Sequence, residues 1–154
     1  MSDRPEYRFD DRDVLWSPFK GFDGLDYSLL SVDEEKGQVD MLMRFAPNQA
    51  CVPHCHVGPT KTLVLEGEHH VISPNPDGTE DVSVRKAGTF SQNDGDETHY
   101  EAGGPDGGII LLMMTAKDGT VYDILEEVGG ECVRQISVQD FKRGFDRQKA
   151  KSAA

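Results

Sequence analysis

The 154-residue chain is long enough for one domain with a buried core, and its 16 basic and 28 acidic side chains give a formal net charge of −12. This negative charge repels nucleic acid phosphates and anionic membrane surfaces, so neither is an expected partner. No apolar run approaches the roughly 20 residues that span a bilayer. The N-terminal residues lack a signal-peptide core, which predicts a soluble, cytoplasmic protein. The three cysteines are irregularly spaced, as expected for reduced thiols.

Residues 1–24 are predicted to form an N-terminal arm, because turn-forming residues are interleaved with aromatic side chains there. This arm lies across the body of the domain or contacts a second subunit. In residues 25–136, short apolar stretches alternate with turn signals, a pattern typical of a β-sandwich or β-barrel. We predict strands at residues 27–32, 39–45, 51–57, 60–66, 69–73, 81–85, 98–102, 109–115 and 121–125.

Three links between these strands are predicted from their turn-forming residues. Gly67 and Glu68 have the composition of a tight hairpin. The glycine-rich run at residues 103–108 is expected to end the strand before it, and residues 117–120 are expected to form another hairpin turn.

The last segment, residues 137–154, is predicted to form a short helix and a tail. Ser137 can cap the helix N-terminus, with Asp140 in the first turn. The tail from Arg147 onward is expected to fray, because nothing in its sequence fixes it to the domain.

His54 and His56 are the first candidate functional residues along the chain. Side chains alternate between the two faces of a strand, so these imidazoles share a face. His99 lies in a turn-rich segment that can return it to the same space. Three imidazoles that converge inside a small barrel indicate a metal site. Cys51 and Cys55 are predicted on the opposite face, which argues against a mixed cysteine and histidine zinc site.

Two further groups are candidates for supporting roles. His69 and His70 alternate along a strand, so only one can face the interior and act as a hydrogen-bonding or proton-carrying group. We select His70, with plain strand surface as the alternative. Glu97 shares a face with His99, where it can orient that ring, act as a catalytic base or bind the metal. It can equally be a solvated turn carboxylate.

The pattern resembles the cupin superfamily, in particular the small cupins that include the sensor domain of the anti-sigma factor ChrR, acetylacetone dioxygenase and dihydroxyacetophenone dioxygenase. The first cupin motif is matched by His54, His56 and residues 64–68, and the second by Gly88 and His99. This resemblance implies an all-β, cupin-type antiparallel β-barrel, or jelly roll. It also implies a homodimer, because such barrels often pair through an edge strand or an arm.

The resemblance also implies which residues hold the metal. The glutamate that commonly supplies a fourth ligand would fall at Thr60 or Lys61, and neither side chain binds a divalent metal well. The sequence therefore resembles the dioxygenases in which three histidines and no carboxylate hold the metal. Thr60 and Thr62 are expected beside the metal or in the pocket next to it.

The function that this resemblance implies is a non-haem Fe(II) dioxygenase. Its substrates would be O2 and a small diketone, hydroxyketone or similar enolisable compound. Fe(II) is the expected metal, Zn(II), Mn(II) and Ni(II) are alternatives, and no residues for another cofactor are expected. A zinc-binding sensor or structural domain akin to ChrR, which reports oxidants through Cys51 or Cys55, is a second interpretation. An isomerase, lyase or hydrolase with the metal as Lewis acid is a third.

Overall fold

Ten strands and one helix make up residues 8–154, the part of the chain that this computed structural model describes. The elements are β1 (Ser17–Pro18), β2 (Leu25–Asp33), β3 (Gln38–Phe45), β4 (His54–His56), β5 (Thr60–Pro74), β6 (Glu80–Lys86), β7 (Phe90–Asn93), β8 (Glu97–Thr115), β9 (Thr120–Leu125), β10 (Cys132–Ser137) and α1 (Val138–Ser152). The paired strands are antiparallel, and the sheet curls around a buried core. The all-β prediction is confirmed. No helix in the described part could cross a membrane.

The long strand β8 organises the barrel because it pairs with different partners along its length. Residues 97–99 at its beginning pair with β4, where His99 lies opposite His54. Residues 108–115 at its end pair with the whole of β3. The 15-residue β5 runs beside most of it. Residues 109–115 form the continuous apolar strand that the sequence predicts, and Ile110 and Leu112 are completely buried. The candidate metal ligands are therefore attached to the most enclosed strand of the fold.

Two of the predicted strand ends are wrong, because the glycines there bend strands instead of ending them. β5 continues through Gly67 and Glu68, with irregular register on either side of this point. β8 likewise continues through residues 103–108. An added Cβ on Gly67 would lie 2.3 Å from the carbonyl oxygen of Gly107, and one on Gly108 would lie 2.3 Å from that of Glu68. Glycine is needed here because the two bent backbones cross too closely for side chains.

The two ends of the described chain are fixed to the barrel. The first seven residues of the predicted arm lie outside the described part. Within the rest of the arm, β1 pairs with β2 and the Phe19 ring packs edge-on against Tyr27 at 5.4 Å between centroids. At the other end, the predicted tail is helical as far as Ser152. The Gln148 side chain binds the backbone N–H and carbonyl of Leu29, at 2.9 and 2.8 Å, which explains why the helix persists.

Local signals predicted two other features correctly. Ser137 accepts a hydrogen bond from the backbone N–H of Asp140, and the Asp140 carboxylate accepts one from the backbone of Ser137, which makes a complete capping box. The predicted hairpin turn at residues 117–120 is confirmed by backbone hydrogen bonds in both directions between Lys117 and Thr120. Both features depend on residues that are close in sequence.

Gly58→Ala is expected to destabilise the protein, because an added Cβ would lie 1.9 Å from the backbone oxygen of Thr115. Backbone must move to relieve this overlap, which we expect to cost about 3 kcal/mol. Urea unfolding measures the loss as a lower midpoint. Gly144→Ala is the control, since its added Cβ would lie 3.4 Å from the Leu29 side chain. Within a helix that change should stabilise by about 0.5–1 kcal/mol. An unchanged midpoint for Gly58→Ala would contradict the predicted close contact.

Candidate metal centre

Three histidines and one glutamate meet inside the barrel. His54 and His56 come from β4, and His99 and Glu101 come from the adjacent end of β8. Each side chain offers one ligand atom, and these four atoms lie within 4.8 Å of one another. All four residues are at most 5% exposed. The alternation of side chains along both strands places all four on the inner face, as the sequence predicts for the three histidines.

Each imidazole is held from behind through its Nδ1 atom. The oxygen atoms involved are the Val52 carbonyl at 2.9 Å from His54, the Thr60 hydroxyl at 3.3 Å from His56 and the Glu97 carboxylate at 3.2 Å from His99. Carbonyl and carboxylate oxygens can only accept, so Nδ1 of His54 and of His99 carries the proton. Nε2 of each ring then presents a lone pair, which is the tautomer that a metal requires.

The inward-facing nitrogens fit a bound cation. Nε2 of His54 lies 3.1 Å from Nε2 of His56. Nε2 of His99 is buried and has no hydrogen-bond partner in the described part of the chain. Converging lone pairs without donors are unfavourable in a buried site. A divalent metal between them satisfies all three nitrogens, so the residues present fit a metal ion.

Glu101 corrects the prediction that the centre has no carboxylate. Its Oε2 lies 3.4 Å from Nε2 of His54, and its Oε1 lies 3.5 Å from Nε2 of His99. The glutamate is not at position 60 or 61 of the sequence, where the resemblance would place an acid. It lies two residues after His99 on the same strand, and this spacing of two is the signal that could have identified it.

The charge of the cluster also favours a cation. Burial by itself raises the pKa of the Glu101 carboxyl, but the surrounding imidazoles of His54, His69 and His99 outweigh it, so the pKa lies well below its usual range. Burial lowers the pKa of the His56 imidazole, and the neighbouring His54 lowers it further. An ionised carboxylate beside a neutral imidazole is a combination that binds divalent metals.

Three other site candidates lie outside the group of four. Thr60 and Glu97 contact the backs of His56 and His99, as described above, so Glu97 faces away from the cluster and cannot replace Glu101 in it. Thr62 is buried on the same face of β5 as Thr60.

Of the neighbouring pair His69 and His70, the structure places His69 beside the cluster, so the selection of His70 is corrected. His69 is completely buried, and its Nε2 lies 3.0 Å from Oε1 of Glu101. His70 is partly exposed and binds the Glu68 carboxylate at 2.8 Å. The alternation rule requires that only one of the two faces inward, but the irregular register of β5 at Gly67 decides which one.

Cys51 also differs from its predicted position on the far side of the strand. It precedes β4, so strand alternation does not apply to it. Its buried Sγ lies 3.8 Å from Nδ1 of His54 and 3.9 Å from Oε2 of Glu101. Cys55 lies between the two histidines of β4 and is partly exposed.

A small, mainly apolar cavity of about 30 Å³ adjoins the cluster. His54 and Glu101 form its polar side, while Phe19, Tyr122 and Ile136 contribute to the remaining wall. The Tyr122 ring packs edge-on against His54, with centroids 5.3 Å apart. This volume holds about two water molecules.

A curled antiparallel barrel in which three histidines and a glutamate converge from two adjacent strands defines a cupin with a candidate metal centre. The sequence comparison identifies which kind of cupin it is. The chain belongs to the ChrR cupin-like domain family, whose model matches residues 5–117. No curated protein matches the chain in sequence.

Solved structures have the same fold at low sequence identity. An acetylacetone dioxygenase from Acinetobacter johnsonii is 15% identical, with a TM-score of 0.71 over 96% of this chain and 95% of that one. An RmlC-like cupin protein from Ralstonia eutropha JMP134 is 14% identical, with a TM-score of 0.69 over 92% and 85%. A chain of the Rhodobacter sphaeroides complex of SigE with the anti-sigma ChrR is 23% identical, with a TM-score of 0.53 over 67% of this chain and 50% of that one. These similarities establish the cupin fold.

Proposed function

We propose that this protein is a non-haem Fe(II) dioxygenase that cleaves a small diketone, hydroxyketone or related enolisable compound. The observation that carries the proposal is the convergence of three imidazole Nε2 atoms and the Glu101 carboxylate beside an apolar cavity. The similarity in fold to the acetylacetone dioxygenase supports the choice of reaction.

The four residues supply a donor set suited to iron. Fe(II) held by His54, His56, His99 and Glu101 would supply Lewis-acid activation of an enolisable substrate and redox chemistry toward O2. The Glu101 carboxylate offsets one unit of the ion's charge. An anionic enolate is therefore attracted less strongly than it would be by an ion that three neutral imidazoles alone hold. Glu97 and Thr60 fix the orientation of two of the imidazole rings from behind.

The apolar wall of the cavity selects what can approach this centre. Phe19, Tyr122 and Ile136 offer contact to a hydrocarbon chain and exclude bulk water. A compound of five or more heavy atoms needs more room than the two water molecules that fit now. Substrate binding therefore requires these side chains to move, and Phe19, which lines the cavity, belongs to the N-terminal arm.

Oxygen uptake tests this proposal directly. Protein loaded with Fe(II) without air should consume O2 when small β-diketones or α-hydroxyketones are added, with one O2 consumed per substrate cleaved. His70→Ala is the matched control, because His70 contacts Glu68 away from the cluster, and it should retain the activity. Stoichiometric iron binding without turnover of any compound in the panel would reject the dioxygenase.

A zinc-binding sensor or structural domain is the second candidate, and two observations favour it. The family model that matches most of the chain is that of the ChrR cupin-like domain, and the buried thiol of Cys51 lies next to two candidate ligands. Metal analysis of freshly purified protein separates the candidates. Bound zinc without oxygen uptake supports the sensor, whereas turnover that needs no oxygen supports an isomerase, lyase or hydrolase.

A further inference from the structure

His69 is the side chain outside the four candidate ligands that contacts the cluster most closely. It lies on β5, opposite Gly103 of β8, and therefore diagonally across from Glu101. Its exposed fraction is 0%, and its Nε2 lies 3.0 Å from Oε1 of Glu101. This distance is that of a well-formed hydrogen bond.

The direction of this hydrogen bond follows from the other contacts of the cluster. Metal ligation requires His54 and His99 to be neutral, and their Nδ1 atoms carry the single proton because each faces an oxygen acceptor. Their Nε2 atoms therefore have no proton to give to Glu101. The Cys51 thiol, 3.9 Å away, is a weak donor. His69 is thus the strong side-chain donor to this buried carboxylate within the described part of the chain.

The other nitrogen of His69 shows that this position is not optimised for stability alone. Its Nδ1 is buried and has no hydrogen-bond partner among the described residues. The ring instead packs near the Phe45 ring, at 6.0 Å between centroids. An apolar side chain would avoid leaving a buried polar atom unpaired. The structural reason for a histidine here is therefore its Nε2–H.

We propose that His69 is a positioning residue of the metal centre, whose Nε2–H holds Oε1 of Glu101 and keeps this carboxylate turned toward the three imidazoles. Oε1 is engaged by His69, so Oε2, on the side of His54, is the oxygen left for a metal. This inference rests on the metal centre of the proposed function. It does not depend on which reaction the centre performs.

Binding of Co(II) is a suitable test because its visible spectrum reports the number and type of ligands. His69→Phe removes the donor and keeps a ring beside Phe45, whereas His69→Gln keeps an N–H donor. His70→Phe is the matched control on the neighbouring residue, which faces away from the cluster. Glu101→Gln and the double variant with His69→Phe complete the set. Thermal unfolding without metal checks that each variant folds, and His69→Met is a second apolar variant if His69→Phe does not.

We expect His69→Phe to raise the dissociation constant for Co(II) about 10- to 100-fold, as is typical when a group that orients a metal ligand is lost. Its spectrum should shift toward that of Glu101→Gln, and His69→Gln should recover most of the affinity. The double variant should bind no more weakly than Glu101→Gln alone, because His69 acts through Glu101.

Two results would overturn the inference alone, given that the wild type binds Co(II). One is an unchanged dissociation constant and spectrum in His69→Phe. The other is a double variant in which the two losses add, since additivity means that His69 acts independently of Glu101. A wild-type protein that binds no Co(II) would instead reject the metal centre, and the inference with it.

Discussion

His56→Ala is expected to weaken metal binding strongly. The three rings form a nearly equilateral triangle, with centroids 4.8 Å apart for His54 and His56, 5.1 Å for His56 and His99 and 4.9 Å for His54 and His99, so loss of His56 removes one ligand and opens the cluster. Structural zinc sites with four ligands bind with about 10–16 kcal/mol, so one ligand contributes roughly a quarter of that. The dissociation constant for Zn(II) should therefore rise about 100- to 1,000-fold. Competition with a chelating dye measures it.

The control for this experiment is His70→Ala, which removes an imidazole from the same protein outside the cluster. It should bind Zn(II) like the wild type, because His70 is partly exposed and its Nε2 binds the Glu68 carboxylate at 2.8 Å rather than a member of the cluster. Wild-type affinity in His56→Ala would contradict the assignment of the cluster as a metal site.

Metal removal is expected to lower the melting temperature by about 10 °C. A metal that binds only the folded state stabilises it by about 4 kcal/mol when present at 1,000 times its dissociation constant. For a chain of this size each kcal/mol corresponds to about 2–4 °C. The physical reason is the buried cluster, because without a cation the Glu101 carboxylate and three inward-facing nitrogens remain desolvated. Calorimetry with and without a chelator measures the shift.

His56→Ala provides the internal control for metal removal, since its melting temperature should respond to the chelator much less than that of the wild type. Equal melting temperatures of the wild-type protein with and without Zn(II) would contradict a metal that contributes to stability. The thermal result is independent of catalysis, so it applies to the enzyme and to the zinc-binding sensor alike.

The two candidate functions make different demands on the cavity. A sensor or structural domain can retain the present volume of about 30 Å³, whereas an enzyme must open it. Phe19 belongs to the arm rather than to the barrel strands that carry the ligands, so it can move without displacing them. A substrate-induced change confined to the arm is therefore compatible with a rigid metal centre.

Local patterns in the sequence predicted the parts of the site that depend on strand alternation. His54 and His56 share a face because side chains alternate along any strand, and the match to the family motif placed His99 with them. The capping box at Ser137 is local for a similar reason, since it requires two residues three positions apart.

Other features of the candidate site depended on how strands far apart in the sequence pair with one another. Glu101 could have been placed on the same face as His99 from its spacing alone, but that face also carries residues with no role in the cluster. Its position beside His54 depends on the register between β4 and β8. The choice of His69 over His70 depends on the irregular register of β5 beside β8, which shifts the alternation of faces at Gly67.

The sequence by itself determined a single, mostly antiparallel β domain, three histidines able to share one interior and a capped C-terminal helix, because periodicity and short-range spacing fix these features. Only the tertiary structure decided that Glu101 joins the histidines, that His69 holds Glu101 and that Cys51 lies beside them. These contacts arise where strands far apart in the chain pair or bend around close glycines. Their geometry is set by register and backbone crossing, which no local pattern specifies.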